Sequence, residues 1–355
     1  MNRIVLIGNG FDLAHDLKTS YADFIYWYWK QRIRSLYEET SNVSKDPLCR
    51  LTKLQDGPWN VFVFSNACYL KNSDGKDIYE YLRNNPKDFK IECTLFFERI
   101  LKSIETKGWV DIENEYYSLL ILSYDHDNNN YLNLNNQLEY LREKLVAYLK
   151  LEGSKIVKTN DSINDKIYRP IFKREIALTN ELHSVNKIYE ETLPSSIMLL
   201  SFNYTNTPKH YTSVNSTINY IHEDIYTPEN VIFGYGDELD TAYQKLRDLN
   251  INETLRHIKS IRYLESDNYR KMLEFIESAP FQVCIMGHSC GNSDRTLLNT
   301  LFEHKNCVSI KPYYYKKVDG TDNYLELIQN ISRNFTDMKL MRDRVVNKTY
   351  CEPLT

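Results

Sequence analysis

Polar residues with catalytic potential lie in four short segments of the chain. His222 is of the type that acts as a general base near neutral pH, because an imidazole exchanges a proton in that range. Asn203 both donates and accepts hydrogen bonds, so its side chain can orient a water molecule or a sugar hydroxyl. These residue types predict a site that activates water or a ribose hydroxyl. The segments are Gly8–Asp12, Asn203–Thr207, His222–Asp224 and Gly287–Asp294.

Each candidate also has a simpler interpretation. His222 can be an ordinary histidine at a strand end, and Asn203 can be a turn residue ahead of Pro208. Asp12 and Asp294 can each cap a helix, since the N-terminus of a helix favours a carboxylate. The sequence alone leaves both interpretations open.

The chain opens with an apolar run, Ile4–Ile7, that breaks into Gly8–Gly10. Many doubly wound α/β proteins begin a nucleotide site in this way. The glycines let the backbone approach a phosphate, and the following helix presents free N–H groups to it. The turn lacks both the third glycine of the Rossmann fingerprint and the Lys-Ser/Thr of a P-loop. It is therefore equally compatible with a plain strand-to-helix turn.

Two other hydrolase chemistries remain open. Gly287–Gly291 matches the G-x-S-x-G pattern of a nucleophile elbow, with Ser289 between a strand and a helix. An α/β-hydrolase also needs an acid and then a histidine after the serine, and His304 alone follows. A metal-dependent hydrolase would hold a divalent ion with acidic and imidazole side chains. The side chains available for such an ion are Asp12, Glu113, His222, His288 and Asp294.

Strands and helices alternate after residue 195, and these elements must position the candidate residues. The alternation predicts an α/β fold with a doubly wound, mostly parallel sheet covered on both faces. The carboxyl ends of parallel strands lie at one edge, where ligands bind, so we expect the four polar segments to converge there. The predicted strands are Ile4–Ile7, Ser196–Phe202, Thr217–Ile221, Asn230–Phe233, Phe281–Met286 and Cys307–Tyr313.

The chain before residue 195 has a mostly helical pattern. We therefore predict a Rossmann-like nucleotide-binding domain from residues 1–24 and 195–355, interrupted by a large helical insertion at 25–194. Loops are predicted at Asp46–Gly57 and Asp125–Asn136. The predicted helices are Tyr21–Glu39, Lys90–Glu105, Ile112–Leu122, Gln137–Leu151, residues 175–192, Asn252–Ser278, a helix ending at Glu303 with Ser293 as its N-cap, and Tyr324–Phe335.

One acidic candidate lies within the predicted insertion. Glu113, in the stretch Trp109–Glu113, can reach the site if this region folds over the sheet edge as a lid. It can also be a solvated acid at the start of a helix.

Composition narrows the class of protein. The 355 residues are 42% hydrophobic and carry a net charge of -4, which argues against a mainly electrostatic grip on nucleic acid. Seven cysteines without paired spacing predict reduced thiols and a cytoplasmic protein. No apolar stretch approaches the roughly 18 residues that a membrane span requires, so no membrane association is expected. The first residues predict a strand, and we expect no signal peptide.

Several motifs resemble, in order, those of AbiH-type bacteriophage abortive-infection proteins. The opening Ile7–His15, followed by Lys18–Phe24, is closely similar to the opening of that family. One departure is Glu223, because the family usually has glycine after the motif histidine. The resemblance covers nearly the whole chain and implies a role in antiviral defence. The later similar motifs are Trp109–Glu113, Ser201–Thr205, Tyr220–His222, Ile232–Gly234 and Met286–Ser289 with Asp294.

The same motif order is similar, more distantly, to sirtuin-like NAD-cleaving domains of antiphage systems. That resemblance implies a sirtuin-like Rossmann fold in which Asn203 orients the attacking water at the nicotinamide ribose and His222 acts as base on that ribose. It implies nucleotide contacts from Gly8, Asn9 and Gly10 at the phosphates and from Gly287, Ser289 and Asp294 at the adenosine side. We add Asp12, Thr205 and His288 to the nucleotide-binding set.

Two departures separate this chain from the sirtuin-like pattern. Phe11 and Asp12 stand where those domains have a small residue and then serine, and Thr205 stands where they have aspartate. The favoured hypothesis is a nucleotide-binding abortive-infection protein that cleaves the nicotinamide–ribose bond of NAD without a metal. The alternatives are a metal-dependent nuclease or phosphoesterase and a non-catalytic nucleotide sensor. The expected partners are the nucleotide, a phage-derived trigger and further copies of the chain.

Overall fold

The structure is a computed structural model in which the chain forms two compact units. One unit contains Met1–Leu17 and Leu149–Thr355, and the other is Lys18–Tyr148. The structure describes residues 1–38, 42–54, 75–108, 110–125, 130–155, 157–177 and 190–355.

Strands and helices are numbered here along the described chain. The strands are β1 (Asn2–Ile7), β2 (Val43–Lys45), β3 (Cys49–Lys53), β4 (Phe89–Cys93), β5 (Ile171–Phe172), β6 (Glu191–Thr192), β7 (Ile197–Ser201), β8 (Ser216–Tyr220), β9 (Phe281–Met286) and β10 (Cys307–Tyr313). The α-helices are α1 (Asn9–Leu13), α2 (Tyr21–Glu38), α3 (Gly75–Asn84), α4 (Leu95–Lys107), α5 (Ile112–Asp125), α6 (Tyr131–Gly153), α7 (Asp161–Tyr168), α8 (Thr241–Asp248), α9 (Lys259–Arg262), α10 (Asn268–Ser278), α11 (Arg295–Phe302), α12 (Tyr324–Arg333) and α13 (Met338–Arg344).

The predicted parallel sheet is present in the unit that contains both chain ends. It has five strands in the order β10-β9-β1-β7-β8, and every neighbouring pair is parallel. After β1 the chain builds outward through β7 and β8, then returns to the other side of β1 for β9 and β10. The strand order therefore reverses at β1. In open α/β sheets the ligand crevice lies at such a reversal, beyond the carboxyl ends of the strands.

Both faces of this sheet are covered, as the unbroken apolar strands predicted. On one face Ile4 and Leu6 join an apolar cluster with residues of α10, α11 and α12. On the other face Val5 and Ile7 pack in a cluster with Phe11 and with residues of α7. This alternation along β1 fixes its register between β7 and β9, because a slip of one residue would exchange the two faces.

Two predictions for the second unit were wrong. Part of the predicted loop Asp46–Gly57 forms β3, and the start of the predicted helix Lys90–Glu105 forms β4. Together with β2 these strands make a three-stranded antiparallel sheet in the order β2-β3-β4. Polar residues make up much of these short strands, so their alternation is a weak signal in the sequence. The predicted helices at Tyr21–Glu39, Ile112–Leu122 and Gln137–Leu151 are confirmed, with ends that differ by a few residues.

The predicted long helix Asn252–Ser278 is broken: α10 forms its last 11 residues, and the earlier part contains two 3-10 turns and the four-residue α9. The reason lies in Tyr235, whose N–H donates to the carbonyl oxygen of His257 at 3.0 Å and whose carbonyl accepts from the N–H of Lys259 at 2.9 Å. These bonds draw the chain out of helical geometry at Ile258. The predicted strand Asn230–Phe233 is also wrong, because these residues leave a 3-10 turn and bond to loops instead of to the sheet.

Three further element predictions need correction. Helix α6 begins at Tyr131, inside the loop predicted for Asp125–Asn136. Within the predicted helix 175–192, residues 178–189 lie outside the described part of the chain, and β6 is a strand that pairs with β5. Ser293 lies inside a short 3-10 turn, and Asp294 occupies the N-cap position of α11 without a capping side-chain hydrogen bond.

Residues 149–177 belong to the unit of the parallel sheet. Arg3 of β1 holds them, because its guanidinium donates to the carbonyl oxygens of Ile167 at 2.7 Å and Arg169 at 2.8 Å. The predicted domain limits, 1–24 with 195–355 and 25–194, stay predictions. None of the described helices is both long enough and apolar enough to cross a bilayer.

Candidate active site at the carboxyl edge of the parallel sheet

Hydrogen bonds connect the polar segments that follow neighbouring strands. The Asn203 amide, just after β7, donates to the carbonyl oxygen of Gly8, just after β1, at 2.9 Å. The N–H of Gly10 donates to the carbonyl oxygen of Gly287, just after β9, at 2.8 Å. The structure therefore brings the strand ends together as the parallel topology predicts.

The centre of the site is the carboxylate of Asp294. Its Oδ1 lies 2.8 Å from the Lys259 ammonium and 3.3 Å from Nε2 of His222, and its Oδ2 lies 3.6 Å from Nε2 of His288. All four side chains are buried. The hydroxyl of Tyr263 lies 3.1 Å from Nε2 of His222 on the same side of the cluster. One carboxylate thus organises two imidazoles and an ammonium away from bulk water.

Burial and the local charges set the protonation of this cluster. Burial opposes ionisation of Asp294, but Lys259 and the hydrogen bonds from His222 and His288 hold the pKa of the carboxyl well below its ordinary value. Burial lowers the pKa of His222, and the Lys259 ammonium lowers it further against the pull of Asp294. At neutral pH the site therefore contains an aspartate anion beside a neutral imidazole. That combination can accept a proton from a hydroxyl or from water.

The orientation of His288 is fixed by its own turn. Its Nδ1 accepts the backbone N–H of Cys290 at 3.0 Å, so in the neutral ring the proton lies on Nε2, which faces Asp294. Cys290 has a φ of 54°, and the Asn334 side chain donates to its carbonyl oxygen at 2.9 Å. The ring also packs on Phe202, with centroids 4.2 Å apart.

A second buried acid follows β1. The Oδ2 atom of Asp12 accepts the Thr205 hydroxyl at 2.6 Å, whereas its Oδ1 has no hydrogen-bond partner among the residues that the structure describes. Burial raises the pKa of Asp12, against the hydrogen bond from Thr205. An acid in this state is disposed to donate or accept a hydrogen bond from a molecule placed beside it. Asp12 lies within α1, and Gly8 holds the N-cap position, so Asp12 is not the cap of that helix.

The glycines of the two turns pack against each other. A Cβ atom on Gly8 would lie 2.5 Å from the Cα of His288, and one on Gly287 would lie 2.1 Å from the N of Phe11. Gly287 also has a φ of 76°, in the region that favours glycine. The glycine turn is thus required for contact between the ends of β1 and β9.

A comparison with protein-family models shows which family the chain belongs to. The family model described as "Bacteriophage abortive infection AbiH" matches residues 4–315. The chain belongs to this family. A role in abortive infection of bacteriophage follows from that membership. In a comparison with curated proteins, nothing matches the chain.

Within this AbiH chain, the departure at Glu223 has a conformational consequence. Glu223 has a φ of 62°, a backbone conformation that strains any residue with a side chain but not glycine. The Asn268 amide donates to its carboxylate at 2.8 Å and to the carbonyl oxygen of Tyr220 at 2.9 Å. Asn268, the first residue of α10, therefore links the Glu223 side chain to the end of β8.

Other predicted residues take different positions. Glu113 is a buried acid at the start of α5 and belongs to the unit Lys18–Tyr148. Asn9 and Ser289 are exposed. His304 is the one histidine that follows Ser289 in the chain, as a Ser-Asp-His order requires. Its Nε2 lies 3.2 Å from the Glu277 carboxylate, so it is already hydrogen-bonded there. The roles of these residues toward a ligand stay predictions.

The donor set around Asp294 is also informative about metals. Across the described ranges, no group of three or more His, Cys, Asp or Glu side chains is arranged to hold a metal ion. The ammonium of Lys259 occupies the Oδ1 side of Asp294, where a cation bridging to His222 would have to lie. Asp294 and His222 therefore do not fit a divalent ion bridged between them at this position.

Lys259 and Tyr263 are the site residues that sequence reasoning missed. Both lie in the segment that was predicted as one long helix, in which no polar residue was assigned to the site. A signal was present, because Lys259 falls four residues after Leu255 and Tyr263 four residues after Lys259, a spacing that puts all three on one face of a helix. A lysine within an apolar stripe needs a buried partner, and here the partner is Asp294.

Proposed function

We propose that this AbiH protein acts in abortive infection by binding a nucleotide at the carboxyl edge of its parallel sheet and hydrolysing the N-glycosidic bond. The favoured substrate is NAD, and the reaction consumes one water and gives nicotinamide, ADP-ribose and a proton. A sirtuin-like Rossmann arrangement of the nucleotide is part of this proposal. Loss of NAD would arrest the infected cell.

The observation that carries the proposal is the pair of His222 and Asp294 at the end of β8 and the start of α11. Asp294 lies 3.3 Å from His222 and is held ionised by Lys259 at 2.8 Å. Its negative charge stabilises the imidazolium that forms when His222 accepts a proton from the ribose or from water. His222 is neutral at neutral pH and so available for this, because burial lowers its pKa below the ordinary value.

Cleavage of a nicotinamide–ribose bond requires few strong catalytic groups from the protein. The leaving group is already cationic, and the transition state resembles an oxocarbenium ion, so positioning and electrostatics supply the catalysis. In this proposal the carboxylate of Asp294 supplies a negative charge, and Oδ1 of Asp12, which has no hydrogen-bond partner among the described residues, supplies a hydrogen-bonding group. Asn203, whose amide nitrogen is committed to Gly8, retains its side-chain oxygen for a water or a ribose hydroxyl.

The first test is nicotinamide release from NAD by the purified chain, followed by chromatography. Variants His222→Gln, Asp294→Asn and Asn203→Ala remove the proposed base, its counter-charge and the water-orienting amide. Matched controls are His304→Gln and Asp319→Asn, which change the same residue types outside the site. We expect the three site variants to lose roughly a hundredfold or more in rate, the usual contribution of a positioned base, and the controls to retain it.

Each rival function gives a different result in this assay. Products that keep nicotinamide attached to ribose, formed in a reaction that stops with EDTA and returns with Mg²⁺, would support a metal-dependent phosphoesterase instead. Tight NAD binding without turnover, in a protein whose His222 and Asn203 variants still protect cells from phage, would support a sensor. Wild-type rates in all three site variants would reject the assigned residues.

A further inference from the structure

A pair of cysteines in the unit Lys18–Tyr148 faces across two antiparallel strands. Cys49 of β3 lies directly opposite Cys93 of β4. The next pair along the ladder, Leu48 opposite Thr94, is a hydrogen-bonded pair, because the Thr94 N–H donates to the Leu48 carbonyl oxygen at 2.8 Å. Pairs alternate along an antiparallel ladder, so Cys49 and Cys93 form the closely spaced type, with Cα atoms about 4.5 Å apart. This spacing lies within the range that a disulfide spans.

The surroundings of the pair favour a thiolate at one sulfur. The thiols of Cys49 and Cys93 hydrogen-bond to each other, and the Tyr28 hydroxyl lies 3.3 Å from Sγ of Cys49. Arg32 donates to the Cys49 carbonyl oxygen at 3.2 Å and lies 3.1 Å from the Asp46 carboxylate. The hydrogen bond from Cys93 lowers the pKa of Cys49, and the same bond raises the pKa of Cys93.

We propose that Cys49 and Cys93 are a redox modification site that closes reversibly to a disulfide on reaction with a hydroperoxide. With hydrogen peroxide as that hydroperoxide, the Cys49 thiolate attacks one oxygen and the O–O bond breaks, giving a sulfenic acid on Cys49 and a hydroxide that leaves as water after protonation. The Cys93 sulfur then attacks Cys49, and its proton leaves with the hydroxyl as a second water. The two thiols lose two electrons and the peroxide gains them. A small-molecule thiol reverses the step by exchange.

The remaining described cysteines offer a contrast within the same chain. Cys284, Cys290 and Cys307 are buried, as Cys49 is, but for these three thiols burial raises the pKa, whereas the pKa of Cys49 is lowered. Cys351 is partly exposed like Cys93, but burial raises its pKa to about 12. Cys351 is therefore the matched internal control for accessibility without thiolate character.

Peptide mapping of the full-length chain after brief exposure to hydrogen peroxide tests the site. We expect a Cys49–Cys93 linked peptide that appears before Cys351 is oxidised and disappears on treatment with dithiothreitol. Cys351→Ser should leave the link unchanged, whereas Cys93→Ser should stop at a Cys49 sulfenic acid that a dimedone probe labels. Free thiols at both Cys49 and Cys93 in the wild-type protein, under conditions that oxidise Cys351, would overturn the proposal. The mapping needs no NAD turnover, so its result is independent of the proposed hydrolase.

Discussion

Burial gives ordinary residue types their special state at the Asp294 cluster. An aspartate and a histidine at the surface would titrate near their usual values. Here Lys259 keeps Asp294 ionised, and burial keeps His222 neutral. The rule that ligands bind beyond the carboxyl ends of parallel strands was enough to select His222, Asp294 and Asn203 from the sequence. The same rule could not select Lys259, because Lys259 follows no strand. Its position depends on the break in the predicted helix at Ile258, and that break depends on hydrogen bonds to Tyr235, more than twenty residues earlier in the chain.

The lowered pKa of His222 predicts how stability depends on pH. Below its ordinary value of 6.5, the unfolded chain takes up a proton at this position before the folded chain does, so the free energy of unfolding falls as pH falls. Urea unfolding between about pH 7.5 and about pH 5.5 should show this loss, with a slope of up to about 1.4 kcal/mol per pH unit from this group. His222→Gln should remove that part of the slope, and His304→Gln should leave it in place. Equal slopes in both variants would contradict the assignment.

Glu223 predicts a stability difference between two simple variants. Glu223→Gly and Glu223→Ala both lose the hydrogen bond from Asn268, but only glycine relieves the strain of a φ of 62°. We expect the glycine variant to be more stable than the alanine variant by about 1 kcal/mol in urea unfolding. An alanine variant at least as stable as the glycine variant would show that this backbone position is not strained.

Among the elements, the fully buried strands were the most predictable. β9 and β10 occur with the predicted bounds, because strands covered on both faces read as unbroken apolar runs. The sheet of β2, β3 and β4 was missed because its short strands carry many polar residues. The contact between the turn after β1 and the turn after β9 could not be predicted from the sequence either. Gly8 was attributed to a phosphate and Gly287 to the adenosine side of a nucleotide, whereas the structure shows that each glycine accommodates the other's turn.

The contact between the two glycine turns gives an element-scale prediction. Gly287→Ala places a methyl group 2.1 Å from the N of Phe11, whereas Gly320→Ala meets no described atom within 4 Å. Both glycines have positive φ, so the conformational strain of about 1 kcal/mol is common to both variants. Urea unfolding should show a loss near that value for Gly320→Ala and a loss several-fold larger for Gly287→Ala. Equal losses would show that the turns can separate freely.

A buried ion pair attaches the segment after α7 to the sheet. Glu175 lies 2.7 Å from the Lys311 ammonium of β10 and accepts the Gln282 amide of β9 at 3.0 Å. Glu175→Gln should lower the free energy of unfolding by about 3–5 kcal/mol, because it leaves a buried ammonium uncompensated. The matched change Glu190→Gln, at an exposed pair with Lys173, should cost at most about 1 kcal/mol. Similar effects from the two changes would mean that the buried pair contributes no more than a surface pair.

For the whole molecule, motif order was the most informative feature of the sequence. Motifs spread from Ile7 to Asp294 resemble one family, and the family match over residues 4–315 confirms that part of the prediction. The parallel sheet explains the spacing, since each motif after β1, β7, β8 and β9 follows a strand end. The substrate could not be derived in the same way. Family membership gives the biological role, while glycine turns and strand-end acids serve many nucleotides.

The most direct test of the account is the NAD content of bacteria that express the chain during phage infection, because infected cells also contain any trigger. We expect NAD to fall and nicotinamide to accumulate with the wild-type chain and with His304→Gln. Cells with His222→Gln or Asp294→Asn should keep their NAD and lose protection. Protection by the wild-type chain with NAD unchanged throughout infection would contradict NAD cleavage as its activity.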